Sequence, residues 1–135
     1  MKLDAKTIAN ITLFENISGA SIKDCFEEEE GLLFIVKEGN VKRALGPDNR
    51  NLRRIQSLLK KKIRIIAFSK EPEKFINNLL YPIRAEKVEI EGKTLKITAS
   101  DTRSKGRIFG RSKENLRKIK EMVKKYYDLD EVDVI

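Results

Sequence analysis

The chain contains no histidine and no tryptophan, and it has one cysteine and three prolines in 135 residues. Without histidine it lacks the commonest general base and a frequent metal ligand. A lone Cys25 cannot close an intrachain disulfide, which fits a reducing, cytoplasmic setting. Phosphate-cradling nucleotide motifs, dinucleotide fingerprints and metal-ligand clusters with usable spacing are also missing. The expectation is a non-catalytic protein with no cofactor, no metal and no small-molecule substrate. The longest aliphatic and aromatic run is LLFIV at 32–36, far short of the ~20 residues that span a bilayer. Lys2, Asp4, Lys6 and Glu15 interrupt the first twenty residues, so these do not read as a signal peptide. A membrane is not an expected partner.

What the chain does have is charge. Asp, Glu, Lys and Arg make up 37% of it, with a net charge of +8, against a usual charged fraction of about a quarter. The excess is localised. Residues 1–40 carry −4, 41–70 carry +9, 71–100 are neutral, 101–125 carry +7, and 126–135 carry −4. Two basic blocks separated by neutral or acidic stretches are the electrostatic footprint of polyanion binding. A merely solvated lysine-rich surface is the plainer alternative.

Each basic block holds an unusual glycine turn, RALGPDNRNLRRI at 43–55 and RIFGRSKENLRKI at 107–119. Setting Gly46 against Gly110 aligns 41–61 with 105–125 without gaps, and eight of the 21 pairs are identical, among them Arg43/Arg107, Asn51/Asn115, Arg53/Arg117 and Ile55/Ile119. Upstream, EGLLFIVKEGN (30–40) matches EGKTLKITASD (91–101) in its opening Glu-Gly and in strand character. Two copies are too few for a solenoid and indicate a tandem pair of small domains.

The pattern within each copy is helix, strand, strand, helix, helix, strand. In the first, Ile8, Ile11 and Phe14 predict one face of a helix over 4–17. A hairpin follows, 22–26 and 32–38 around an acidic tip at 27–31, then helices at 40–45 and 49–60 and a strand at 62–69. Leu52, Ile55 and Leu58/Leu59 are the expected apolar stripe of the longer helix. The second copy predicts a helix at 71–80, strands at 85–91 and 94–100, helices at 103–109 and 113–126, and a final strand EVDVI. Its stripe is Leu116, Ile119, Met122/Val123 and Tyr126. Consecutive residues at a hairpin tip diverge, so Glu27 to Glu30 read as a solvated tip rather than a cation site. Cys25, Phe26, Phe34, Phe68, Tyr126 and Tyr127 read as packing residues.

Two short helices joined by a glycine turn beside a three-stranded sheet resemble the KH domain. The hairpin ahead of the helix pair resembles its prokaryotic, type II form. Two abutting copies in so short a chain are similar to the archaeal NusA-like transcription factors, which consist of little more than two KH domains. The family motif is an aliphatic residue, Gly-x-x-Gly, and a helix whose apolar positions begin three residues on. Leu45-Gly46-Pro47-Asp48-Asn49 and Phe109-Gly110-Arg111-Ser112-Lys113 occupy it here, followed by Leu52 and Leu116, and both lack the second glycine. The resemblance implies an α+β fold of two tandem type II KH domains, 1–70 and 71–135. It also implies single-stranded RNA binding between turn and sheet, and RNA polymerase or the transcription complex as a partner. The role so implied is termination or antitermination. A ribosome-associated KH protein acting on rRNA, or a protein–protein module with a degenerate KH fold, are the alternatives.

The motif suits RNA for physical reasons. Backbone N–H groups at a helix start hold phosphate, and glycine lets the phosphate approach closely. Such a turn clamps about four nucleotides, and nearby cations add sequence-independent attraction. The candidate contacts of the first copy are Arg43, Gly46, Asn49, Arg50, Arg53, Arg54, Lys60 and Lys61. Those of the second are Arg107, Gly110, Arg111, Ser112, Lys113, Arg117, Lys118 and Lys120. Pro47 removes a donor and Asp48 repels phosphate. Asn49 tolerates the left-handed conformation, and Ser112 is expected to cap the helix that follows. The second turn is therefore the expected phosphate grip, with the first contributing through its helix arginines.

Overall fold

The computed structural model describes residues 4–135. The chain folds as two compact units, one ending at Ser69 and the other beginning at Lys70. Each is α+β, a three-stranded sheet with three helices.

The first unit runs α1 (Ala5–Ser18), β1 (Ile22–Glu27), β2 (Gly31–Val36), α2 (Val41–Leu45), α3 (Arg50–Leu59) and β3 (Lys62–Ala67). Asp4 caps α1 by accepting the Thr7 N–H at 2.8 Å. This bond to the charged form holds the Asp4 carboxyl below its usual range. Gly19, in the left-handed region, ends the helix. The packed part of α1 is its C-terminal half. Phe14 is fully buried and meets Phe34 edge-on at 4.8 Å between ring centroids, while Ile11, Leu13 and Ile17 pack around it. Ile8 follows the same periodicity yet is 50% exposed. Periodicity identifies a face of a helix but not where the helix outruns its partner.

In the sheet β2 is central, antiparallel to β1 and parallel to β3. Parallel pairing needs a crossover, and the α2–α3 pair supplies it. Leu32, Phe34 and Val36 join Phe14, Ala44, Ile55 and Ile63 in one cluster. Leu33 and Ile35, on the alternate face, are buried as well, as a continuous apolar run requires. Leu52 and Leu59 are partly buried against this core, but Leu58 is 53% exposed. The predicted stripe of α3 is thus narrower than its leucines suggest. Cys25, Phe26 and Phe34 are core residues, whereas Phe68 is only half-buried and carries Lys23 Nζ 4.2 Å above its ring.

The second unit repeats the order as α4 (Pro72–Leu80), β4 (Ala85–Glu91), β5 (Thr94–Ala99), α5 (Thr102–Phe109), α6 (Glu114–Tyr126) and β6 (Glu131–Val134). Here β5 is central, antiparallel to β4 and parallel to β6. Its alternating sequence buries Leu95 and Ile97 and leaves Lys96 half-exposed between them. Four residues of the α6 stripe, Leu116, Ile119, Met122 and Val123, are buried. Tyr126 and Tyr127 are half-buried against Phe75, with ring centroids 5.7 Å and 6.1 Å away. Among the described residues no helix is long and apolar enough to cross a membrane.

Candidate nucleic-acid interface

The two glycine turns follow the same backbone path. Gly46 ends α2 at φ 74°, ψ 172° and Gly110 ends α5 at φ 72°, ψ 178°, a region essentially reserved for glycine. A single 3₁₀ turn follows each, Pro47–Asn49 and Arg111–Lys113. Within these, Asp48 and Ser112 share φ 52°, while Asn49 and Lys113 lie at φ 58° and 61°. The chain thus enters α3 and α6 through two successive left-handed residues, neither of them glycine. This agreement holds although the copies differ at all four positions between glycine and asparagine.

Hydrogen bonds explain why the paths coincide. In each turn the left-handed pair is closed by a short-range bond, Asn49 N–H to the Gly46 carbonyl at 3.1 Å and Lys113 N–H to the Gly110 carbonyl at 3.2 Å. Asn51 Nδ2 donates to the Arg43 carbonyl at 3.1 Å, and Asn115 Nδ2 to the Arg107 carbonyl at 3.2 Å. The guanidinium of Arg53 donates to the Asp48 carbonyl, and that of Arg117 to the Ser112 carbonyl at 3.0 Å. Arg117 also pairs with Glu114 at 3.2 Å.

Few backbone donors are left over. The amides of Gly46 and Asn49 are engaged, as is that of Arg50, and Pro47 has none. The second turn engages Gly110, Lys113 and Glu114 in the same way, and places an arginine, Arg111, where proline stands in the first. Ser112 does not cap α6. It lies inside the turn in the left-handed region, and the residue at the cap position, Lys113, makes no side-chain cap bond. Side-chain capping in this helix pair is found at α5, where Asp101 is the N-cap. It accepts the Ser104 N–H at 2.7 Å, which holds its carboxyl below the usual range.

Cationic side chains surround both turns. Arg43, Arg50, Arg53, Arg54, Lys60 and Lys61 are exposed in the first unit, with Asn49 beside them. In the second, Arg107, Arg111, Lys113 and Arg117 are exposed with Ser112, while Lys118 and Lys120 are half-buried. Ala44 and Ile108, just before the turns, are fully buried. Leu45 and Phe109 are half-exposed, and these are the apolar side chains the turns leave accessible. Asn51 and Asn115 were not among the expected site residues, although their identity in the aligned copies was a visible signal.

The acidic hairpin tip is not simply solvated. Glu28 holds Arg64 of β3 through two bonds of 3.0 and 2.9 Å, and Glu30 meets Lys62 at 3.0 Å. Among the described residues no group of three acidic or sulfur side chains is arranged for a metal ion.

No protein-family model matches the chain. The crystal structure of APE1850 superposes with a TM-score of 0.70 at 23% identity, covering 98% of this chain and 100% of that one, so the two share a fold. Several curated relatives bear the name probable transcription termination protein NusA. That of Methanocaldococcus jannaschii is 31% identical over 141 residues, spanning 100% of this chain and 75% of the relative. The Halococcus morrhuae protein is 25% identical over 98% of this chain and 96% of its own length. The match to the Methanococcus vannielii protein, at 34%, spans 67% of this chain and about half, 53%, of that relative. The chain belongs to the archaeal NusA family.

Proposed function

We propose that each unit is a type II KH domain and that the protein binds single-stranded RNA without catalysis, as a factor in transcription termination or antitermination associated with RNA polymerase. The observation that carries this reading is the pair of equivalent glycine turns, each set among exposed cations in the basic block of its unit. The names of the curated relatives support the transcriptional setting. The second turn is the stronger phosphate grip, because it carries Arg111 and Lys113 where the first carries Pro47 and Asn49. A titration against random single-stranded RNA at two salt concentrations tests the reading. Binding should weaken steeply with salt, and Arg111→Ala/Lys113→Ala should lower both the affinity and the salt slope, by roughly 0.7 for each phosphate no longer neutralised. Affinity and slope unchanged in that variant would exclude the second turn. Co-purification with polymerase after nuclease treatment tests the protein partner.

A further inference from the structure

We propose that Asn115 and Arg117 are positioning residues that hold the second turn in its phosphate-accepting shape, and that Arg117 is not itself a phosphate ligand. This rests on the RNA-binding reading above. Residues two apart on an α-helix project roughly 200° apart, so the pair can grip the turn from two sides. Asn115 reaches back across eight residues to the Arg107 carbonyl, in the last turn of α5. Arg117 reaches the Ser112 carbonyl within the turn.

The peptide plane between Ser112 and Lys113 is thereby held at both ends. Its oxygen accepts from Arg117, and its N–H donates to the Gly110 carbonyl. A carbonyl fixed against α6 cannot swing toward an incoming phosphate, where it would repel it. The need for such a clasp follows from Lys113. A side chain in the left-handed region resists the conformation glycine adopts freely, so something outside the turn must hold it.

The same two bonds recur in the first unit, from Asn51 and Arg53, around a turn of different sequence. The clasp therefore goes with the backbone path and not with the residues of one turn. The Arg117 guanidinium is committed to Ser112 and Glu114, which reduces what it can offer a ligand.

The test is titration of a random-sequence single-stranded RNA over a salt series, with circular dichroism and a thermal melt of each variant. Asn115→Ala removes no charge, yet it should weaken binding about five- to tenfold and flatten the salt slope by about 0.7 as the turn releases one phosphate. Arg117→Lys keeps the charge and should do the same. A lower melting temperature with unchanged affinity and slope would reduce Asn115 to a structural role and overturn the proposal. Binding by Arg117→Lys equal to that of the unaltered chain would identify a direct charge interaction and overturn the assignment of Arg117. Position 117 is exposed, so its variant decides the matter even where Asn115→Ala fails to fold. Absence of RNA binding by the unaltered chain would overturn the RNA-binding reading and this inference together, whereas binding with an insensitive slope in both variants overturns this inference alone.

Discussion

Gly46 backs directly on to Asn51: a β-carbon placed on the glycine would lie 2.7 Å from Nδ2 and 2.8 Å from Cγ of the asparagine. The glycine is required twice over, by its positive φ and by this close approach. The two requirements are separable. Gly46→Ala should cost about 1–3 kcal/mol from the backbone alone, with a further steric cost while Asn51 is present. In an Asn51→Ala background the Gly46→Ala penalty should shrink to the backbone part plus a residual approach of 3.2 Å to the main-chain nitrogen of residue 51. Urea unfolding of the four chains in the cycle measures the coupling, and strict additivity would show that the two residues do not interact.

The two turns share a backbone, so the first should accept the residues of the second. Pro47→Arg/Asp48→Ser restores an N–H, removes the acid and adds a cation at dihedral angles that Arg111 and Ser112 already occupy. The expected outcome is tighter binding to single-stranded RNA, with a salt slope steeper by roughly 0.7 per additional phosphate neutralised. Unchanged affinity would mean that something other than these two residues limits the first turn.

The ion pairs of the acidic hairpin tip are not equivalent. Glu28 and Arg64 are joined twice, with side chains 31% and 39% exposed. Glu30 and Lys62 are joined once, at 72% and 78%. Solvent screening leaves little to an exposed pair. Glu28→Gln should therefore cost about 0.5–1 kcal/mol in denaturant unfolding, and Glu30→Gln close to nothing. Equal effects would show that the shape of the hairpin, not the bidentate bond, sets the contribution.

Cys25 is 3% exposed, and burial, followed by the negative charge of Asp24 and Glu27, pushes its thiol up to about 12. Near pH 8 the folded protein holds this group as the unreactive thiol. Reaction with a thiol-specific disulfide reagent should be negligible in buffer and become rapid in denaturant. Because the folded pKa is raised, the neutral thiol contributes stability below the unfolded value near 9.0, and that contribution is lost as pH rises from there toward 12. Prompt labelling of the native protein would contradict this burial.

Much of the architecture was legible because it depends on local patterns. The twice-repeated order of elements follows from hydrophobic periodicity and glycine placement, and the observed elements agree to within a few residues at their ends. Where the reading failed, packing decided. Ile8 and Leu58 obey the helical period but project past their partners. Ser112 looked like a cap because of its chemistry and its place before a helix. Its positive φ puts it inside the turn, and the cap position of α6 falls to Lys113, which makes no side-chain cap bond. The acidic tip is exposed as expected at Glu27, Glu29 and Glu30, but Glu28 is half-buried against Arg64, a partner more than thirty residues away.

The sequence by itself determined that the chain is a tandem repeat, that its positive charge gathers around two glycine turns, and that the second turn carries Arg111 and Lys113 where the first carries Pro47 and Asn49. These are properties of residue type and spacing, and they survive without coordinates. Only the tertiary structure decided that the arginines Arg53 and Arg117 are bound to the turns' own carbonyls, and that Asn51 and Asn115 tie the turns to the preceding helices. A hydrogen bond to a main-chain carbonyl leaves no mark on the acceptor residue's identity, so no sequence pattern records it.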